Sequence, residues 1–276
     1  MRIGRLIGIL FGLSLAGSLA AQADEALQAG WSAQKRAVKS GTDVELKVIE
    51  MGPSNAAPIL LLHGLTDSSR SWSMLASDLA DHYHLVIPDL RGHGESDRPE
   101  CCYTVKDFAA DTIGLMDALN IPQAAIIGHS MGSLVAQQIA IDRPDRVSRL
   151  VLVGSAATAA GNEALLRVWD TIQRFTDSVD PKFLEEWTSN PNPVDPNFLG
   201  NVVRETAAVP LHVWKGATRG LLDDDHSFRL KTIKVPALII WGDQDSIFPK
   251  KDQQALSARM PNAHFRTYAG TGHNVQ

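Results

Sequence analysis

The chain has 276 residues, of which 44% are hydrophobic and 21% are charged, and its formal charge at pH 7 is −5. This length and composition are typical of one large globular domain with room for an insertion. The negative charge and the absence of a long Lys/Arg run argue against nucleic acid or an anionic membrane as the main partner.

The first residues have the composition of an export signal. Arg2 and Arg5 precede an apolar run over residues 6–19, which is followed by Ala21-Gln22-Ala23. A basic start, a short apolar segment and two small residues one position apart are the parts of a secretory signal peptide. An uncleaved membrane anchor is the alternative, but the apolar run is short for a span. We therefore expect a signal peptide at residues 1–23 that is cleaved after Ala23, leaving a periplasmic or secreted chain with no stable membrane insertion.

Apolar runs alternate with amphipathic stretches through the first half of the chain. Residues 24–40 predict a polar approach with some helical character. Predicted strands lie at 44–51, 58–62, 84–87 and 147–153, and a further predicted strand ends at Gly128. Predicted helices lie at 72–79 and 104–119, and another begins after Gly132. This alternation predicts an α/β fold with a mostly parallel, doubly wound sheet.

The alternation stops between residues 156 and 231. Apolar spacing there predicts only helices, at 165–175, 181–187, 198–208 and 213–222. Strand patterns resume at 235–241 and 264–268, with a helix at 252–260 between them. We therefore predict a core at residues 24–155 and 232–276 and an inserted helical cap at 156–231. The aromatic residues of the cap form either its own small core or an apolar lid over a pocket.

Residues 128–132, Gly-His-Ser-Met-Gly, place a serine between a predicted strand and a predicted helix. The two glycines permit a tight turn, because Cβ atoms at these positions would crowd it. Such a turn lifts the Ser130 hydroxyl out of the sheet and leaves the Met131 N–H at a helix N-terminus. Ser130 is therefore the predicted nucleophile, and a turn serine or helix cap is the alternative.

A serine nucleophile needs a base, and a histidine base needs an acid that fixes its tautomer. His273 follows the last predicted strand in a glycine-rich loop, and Asp245 follows the strand before it. Groups just beyond the carboxyl ends of parallel strands share one crevice, so both should lie near Ser130. Asp243, on the same loop as Asp245, is the alternative acid.

Acyl transfer also needs N–H donors for the negative oxygen that develops in the transition state. The Met131 N–H is one predicted donor, and the Leu65 N–H, in the loop after the strand at 58–62, is the other. His63 is expected to brace that loop. We expect adjacent Cys101 and Cys102 to be loop thiols, because a ring between neighbouring cysteines is rare. No phosphate-binding glycine loop or metal-ligand cluster occurs in the sequence, so no cofactor or metal is expected.

Five motifs together resemble the α/β-hydrolase fold family over about residues 42–276. They are His63-Gly64, residues 89–96 (Asp-Leu-Arg-Gly-His-Gly-Glu-Ser), residues 128–132, residues 241–245 (Trp-Gly-Asp-Gln-Asp) and Gly272-His273. Within the family, the chain is similar to capped serine hydrolases: carboxylesterases, lactonases and carbon–carbon bond hydrolases. The resemblance implies a nucleophile, acid and base at Ser130, Asp245 and His273. It also implies an oxyanion hole made by the Leu65 and Met131 amides.

Departures from the family pattern narrow this expectation. Serine at position 130 argues against haloalkane dehalogenases and epoxide hydrolases, which have aspartate there. Residues 63–67, His-Gly-Leu-Thr-Asp, do not match the His-Gly-x-Gly-Pro-Gly loop of ring-cleavage hydrolases. Family members usually carry a final helix after the histidine, whereas three residues follow His273 here. We therefore expect the second part of the core, residues 232–276, to lack this final helix.

The sequence thus predicts a serine hydrolase acting on a small-molecule, partly apolar carboxylic ester. A lactonase or carbon–carbon bond hydrolase with the same three residues is the alternative enzyme. A ligand-binding member of the fold that does not turn substrate over is the alternative from another class.

Overall fold

The computed structural model describes residues 26–190 and 192–276, so the predicted signal peptide and its cleavage site lie outside the described residues. An eight-stranded sheet forms the centre of the described chain. Its strands are β1 (Arg36–Lys39), β2 (Glu45–Met51), β3 (Pro58–Leu62), β4 (His84–Pro88), β5 (Ala124–His129), β6 (Val147–Val153), β7 (Ala237–Gly242) and β8 (His264–Tyr268). They are arranged in the order β1-β2-β4-β3-β5-β6-β7-β8. β2 pairs antiparallel with β1 and β4, and all other neighbours are parallel, which confirms the predicted mostly parallel sheet.

Helices connect the strands and cover both faces of the sheet. They are α1 (Ser73–Ala80), α2 (Val105–Ala118), α3 (Met131–Asp142), α4 (Glu163–Ile172), α5 (Pro181–Trp187), α6 (Pro196–Ala207), α7 (Leu211–Leu222) and α8 (Lys250–Arg259). Helices α4–α7 lie between β6 and β7, where the inserted cap was predicted, and are called the cap below. None of the helices in the described ranges is long and apolar enough to cross a membrane.

The central strands are apolar because both of their faces are covered. In β3, Ile59 and Leu61 pack on one face of the sheet with Trp72, whereas Leu60 and Leu62 pack on the opposite face. All four are buried, and burial of each such side chain contributes roughly 2 kcal/mol to folding. A continuous apolar run is therefore the correct signature of a strand at this position.

Asp-Pro pairs set the start of two cap helices. Asp180 and Asp195 accept hydrogen bonds from backbone N–H groups in the first turns of α5 and α6, and each is followed by a proline at the first helical position. Proline suits this position because the N–H that it lacks would have no helical partner there. The proline at 196 therefore begins a helix, which explains why α6 starts two residues earlier than predicted.

Two sequence expectations are wrong. Residues 36–39, predicted as part of a polar approach, form edge strand β1, in which only Val38 is buried. Cys101 and Cys102, expected as free thiols, form a disulfide. Cys102 adopts a positive φ of 73°, so the chain is not extended here and does not hold the two side chains on opposite sides.

Candidate active site

Ser130 is the single residue between β5 and α3, and its backbone is strained. Its φ of 50° and ψ of −118° lie outside the regions that residues with a side chain ordinarily occupy. A Cβ at Gly128 would overlap the Gly132 carbonyl, and a Cβ at Gly132 would overlap the carbonyls of the chain at Leu62. The glycine spacing therefore follows from close backbone contacts around the serine.

His273 and Asp245 lie on adjacent loops at the carboxyl ends of β8 and β7 and are hydrogen-bonded. His273 Nδ1 is 2.9 Å from Asp245 Oδ2. The other carboxylate oxygen, Oδ1, accepts bonds from the N–H groups of Ile247 (2.8 Å) and Phe248 (2.9 Å). The Asp245 side chain is fully buried, so its carboxylate has one fixed direction toward the imidazole.

Asp243 has different surroundings from Asp245. Its Oδ1 accepts a bond of 2.7 Å from the Gly270 N–H, and its side chain is exposed. This bond ties the loop after β7 to the loop that leads to His273. The structure therefore brings Asp245, rather than Asp243, to the imidazole.

Leu65 and Met131 line the same cavity as Ser130. Within residues 26–190 and 192–276, neither of their backbone N–H groups donates a hydrogen bond to another protein group. Met131 is the first residue of α3, where a free N–H and the helix dipole favour a negative ligand atom. Both amides are thus available to a bound oxygen.

A cavity of about 900 Å³ joins these groups. Leu65, Ser130 and His273 line it together with cap residues that include Trp187 and Phe198. A pocket of this size accommodates a small organic molecule. The cap therefore lies over the serine, and some of its aromatic residues line the pocket while others pack within the cap.

His63 braces the loop that carries Leu65. Its Nδ1 donates to the Gly64 carbonyl (2.8 Å), and its Nε2 accepts from the Leu90 N–H (2.9 Å). Burial lowers the pKa of His63 to about 4, so the ring is neutral at pH 7. It joins the loops that follow β3 and β4; the sequence predicted that it braces the first of these, and the connection to the second was not predicted.

Asp67 and His129 also lie at the cavity and were not singled out as site residues from the sequence. Asp67 Oδ2 is 3.9 Å from His129 Nδ1, and 22% of the Asp67 side chain is exposed. Burial raises the pKa of Asp67 to about 6, against opposing effects of Ser71 and His273. Asp67 could have been identified from the sequence by its position. It lies three residues beyond Gly64, in a loop that was expected at the crevice.

His129 is buried directly beneath the His273 loop. Its Nε2–H donates to the His273 carbonyl at 3.2 Å, and burial holds its pKa well below 6.5. The ring is therefore neutral at pH 7 and supports the backbone of His273. No group of His, Cys, Asp or Glu suited to a metal ion occurs in the described part of the chain.

The fold and the site together define an α/β hydrolase. A family model described as the alpha/beta hydrolase fold matches residues 57–211, and the chain belongs to this family. An uncharacterised protein of Mycobacterium tuberculosis is 31% identical over 245 residues, which cover 78% of this chain and 69% of that protein.

Solved structures of hydrolases superpose on most of the chain. A hydrolase from Pseudomonas aeruginosa has a TM-score of 0.79 at 22% identity, covering 87% of this chain and 91% of its own. A thermophilic esterase from Thermogutta terrifontis has a TM-score of 0.75 at 25% identity, and the match covers 87% of this chain and 92% of the esterase. The predicted family is therefore confirmed, and the chain is similar to hydrolases over its core and cap.

Proposed function

We propose that the protein is a serine hydrolase that cleaves small carboxylic esters through an acyl-enzyme formed on Ser130. The observation that carries the proposal is the 2.9 Å bond between His273 and Asp245, at the cavity that also contains the strained serine. The likeness to a thermophilic esterase supports ester substrates.

In this mechanism, Asp245 keeps a proton on His273 Nδ1, so that Nε2 has a free lone pair. Nε2 takes the Ser130 proton as Oγ attacks the carbonyl carbon, and the Leu65 and Met131 N–H groups stabilise the oxyanion. The tetrahedral intermediate then releases the alcohol, which receives the proton from Nε2.

Water completes the cycle. His273 takes a proton from a water molecule that attacks the acyl-enzyme, a second tetrahedral intermediate forms, and the carboxylic acid leaves as Ser130 Oγ regains the proton. A lactone is a cyclic ester, so the same steps open it to a hydroxy acid.

The test is hydrolysis of p-nitrophenyl esters with acyl chains from two to sixteen carbons. Ser130→Ala and His273→Ala should each reduce kcat/KM by at least about 10³-fold, because the triad acts as a unit. Asp245→Asn should reduce it by about 10²–10⁴-fold through the wrong imidazole tautomer, and Asp243→Asn by less than about tenfold. His264→Ala, an exposed histidine remote from the cavity, is the matched control.

Four outcomes of these measurements would contradict parts of the proposal. Turnover that survives Ser130→Ala overturns the nucleophile, and a larger loss from Asp243→Asn than from Asp245→Asn overturns the acid. If no ester is cleaved, reaction with a fluorophosphonate probe distinguishes an active triad from a ligand-binding protein. Labelling of Ser130 leaves an active triad that does not use esters, and no labelling favours a ligand-binding protein.

We also infer that the protein acts in the periplasm or outside the cell, on the basis of the signal-like sequence at residues 1–23. The Cys101–Cys102 disulfide supports this location, because disulfides persist mainly in oxidising compartments.

A further inference from the structure

One hydrogen bond joins the cap to the loop that carries Leu65. The indole Nε1–H of Trp187, the last residue of α5, donates to Thr66 Oγ1 at 2.8 Å. The Thr66 hydroxyl in turn donates to the Leu65 carbonyl at 2.6 Å. A continuous chain of donors thus runs from the cap to the residue whose N–H is proposed to bind the oxyanion.

Thr66 has a backbone conformation that its side chain disfavours. Its φ is +64°, and a β-branched residue in this left-handed region persists only where its surroundings hold it. Thr66 is buried, and its hydroxyl is held between Trp187 and Leu65. The indole is therefore one of the contacts that hold the loop in this conformation.

The indole is itself fixed within the cap. Its ring stacks on Phe183 at a centroid distance of 6.3 Å and meets the edge of Trp214 at 5.5 Å. Trp214 is completely buried. Because these aromatic contacts leave the indole little freedom, its N–H has a defined position relative to the cap.

A second cap helix holds the same loop farther along. Glu205 of α6 accepts bonds from Ser68 Oγ and from Arg70 Nε, the latter at 2.6 Å. This salt bridge fixes the end of the loop, whereas Trp187 acts next to Leu65. Of these two cap contacts, only the Trp187 bond therefore reaches the backbone of Leu65, at its carbonyl.

We propose that Trp187 is a positioning residue that orients the oxyanion hole through Thr66. The Trp187 and Thr66 bonds hold the Leu65–Thr66 peptide and so restrain the backbone of Leu65 from one side, while His63, through the Gly64 carbonyl, holds the peptide that carries the Leu65 N–H from the other. Displacement of the cap would release the first restraint, so the oxyanion hole is fully ordered only while the cap is in place. The inference rests on the proposed acyl-transfer function.

The test uses Trp187→Phe, which keeps a stacking ring and removes the N–H. We expect kcat to fall about tenfold, less than the 10²–10³-fold that follows direct loss of an oxyanion donor, with KM within about twofold. Inhibition by a trifluoromethyl ketone, whose adduct carries an oxyanion, should weaken by a similar factor. Trp169→Phe, a cap tryptophan that does not line the cavity, should match the wild type.

Thr66→Val removes the hydroxyl and nearly keeps the side-chain shape, and Thr66→Ser retains the hydroxyl. Thr66→Val should reproduce the loss seen in Trp187→Phe, Thr66→Ser should keep wild-type kcat, and the double variant Trp187→Phe/Thr66→Val should be no worse than either single one. If Thr66→Val does not fold, as judged by circular dichroism, Thr66→Ala replaces it.

Independent outcomes separate this inference from the proposed function. Wild-type turnover that does not depend on Ser130 overturns the function. Serine-dependent turnover with unchanged kcat in Trp187→Phe, a loss confined to KM, or losses that multiply in the double variant overturn only the role of Trp187.

Discussion

Asp67 gives the candidate site a charge next to the nucleophile. A Cβ placed at Gly64 would lie 3.3 Å from both Asp67 Oδ2 and Ser130 Cβ, so the carboxyl and the serine border the same small space. The carboxylates lining the described cavity wall come from Asp67, Glu186 and Asp195, and no Lys or Arg lines that wall. The ionised site should therefore repel an anionic acyl group.

The pKa of Asp67, raised by burial to about 6, makes this repulsion dependent on pH. The groups that face it are His129, which is neutral, and His273, Ser71 and Glu205. We expect p-nitrophenyl butyrate to have a kcat/KM about tenfold higher than mono-p-nitrophenyl succinate at pH 8, since a partly solvated charge pair repels by about 1–2 kcal/mol. As the pH falls through 6, Asp67 gains a proton and the two values should converge.

The ratio of the two kcat/KM values is the informative measurement, because any loss of catalytic power that the two esters share cancels in it. In Asp67→Asn the ratio should be close to its low-pH value already at pH 8, and Glu186→Gln, at an exposed cap position, should change it less. A ratio independent of pH in the wild type would contradict the role of Asp67.

At the level of single elements, the first turn of helix α3 packs closely against the end of the neighbouring strand β3. A Cβ at Gly132 would overlap the Leu62 and His63 carbonyls, so Gly132→Ala must displace the β3 loop or the elbow. We expect a loss of about 1–3 kcal/mol in the free energy of unfolding, typical of overpacking, together with reduced turnover of whichever substrate the wild type cleaves. Urea denaturation followed by circular dichroism measures the first effect.

Gly200 is the matched control, because it lies within helix α6 and a Cβ there would meet no atom within 4 Å. Gly200→Ala should stabilise the protein by up to about 1 kcal/mol through higher helix propensity and leave turnover unchanged. Equal midpoints for the two variants would show that the elbow tolerates a side chain and that the spacing has another cause.

The elements that were predicted well are those in which the order of apolar residues follows directly from which side chains are buried. Strand β3 was predicted at its observed bounds because both faces are covered, and α5 because Asp180-Pro181 and apolar spacing mark it. Strand β1 was missed because it has four residues, only one of them buried, and depends on pairing with β2.

Contacts distant in sequence explain what could not be predicted at the site. The Asp245–His273 pair follows from strand order and loop position, which the sequence contains. The bond from Trp187 to Thr66 spans 121 residues and depends on how the cap seats on the core, and no local pattern reports that arrangement. The raised pKa of Asp67 likewise depends on its three-dimensional burial.

At the scale of the whole molecule, the protein must be exported to the compartment where its substrate is found. Residues 1–23 carry the proposed export signal. A signal peptidase requires small residues at the last and third-last positions of the signal, here Ala23 and Ala21, and tolerates variation between them. We therefore expect protein secreted by a bacterial host to begin at Asp24 when its N-terminus is sequenced. Ala23→Leu should leave the signal attached. Gln22→Leu introduces the same apolar residue at the position between the two alanines and should be processed normally. Secreted protein that retains Met1, or equal processing of the two variants, would contradict the proposed cleavage and with it the inferred location.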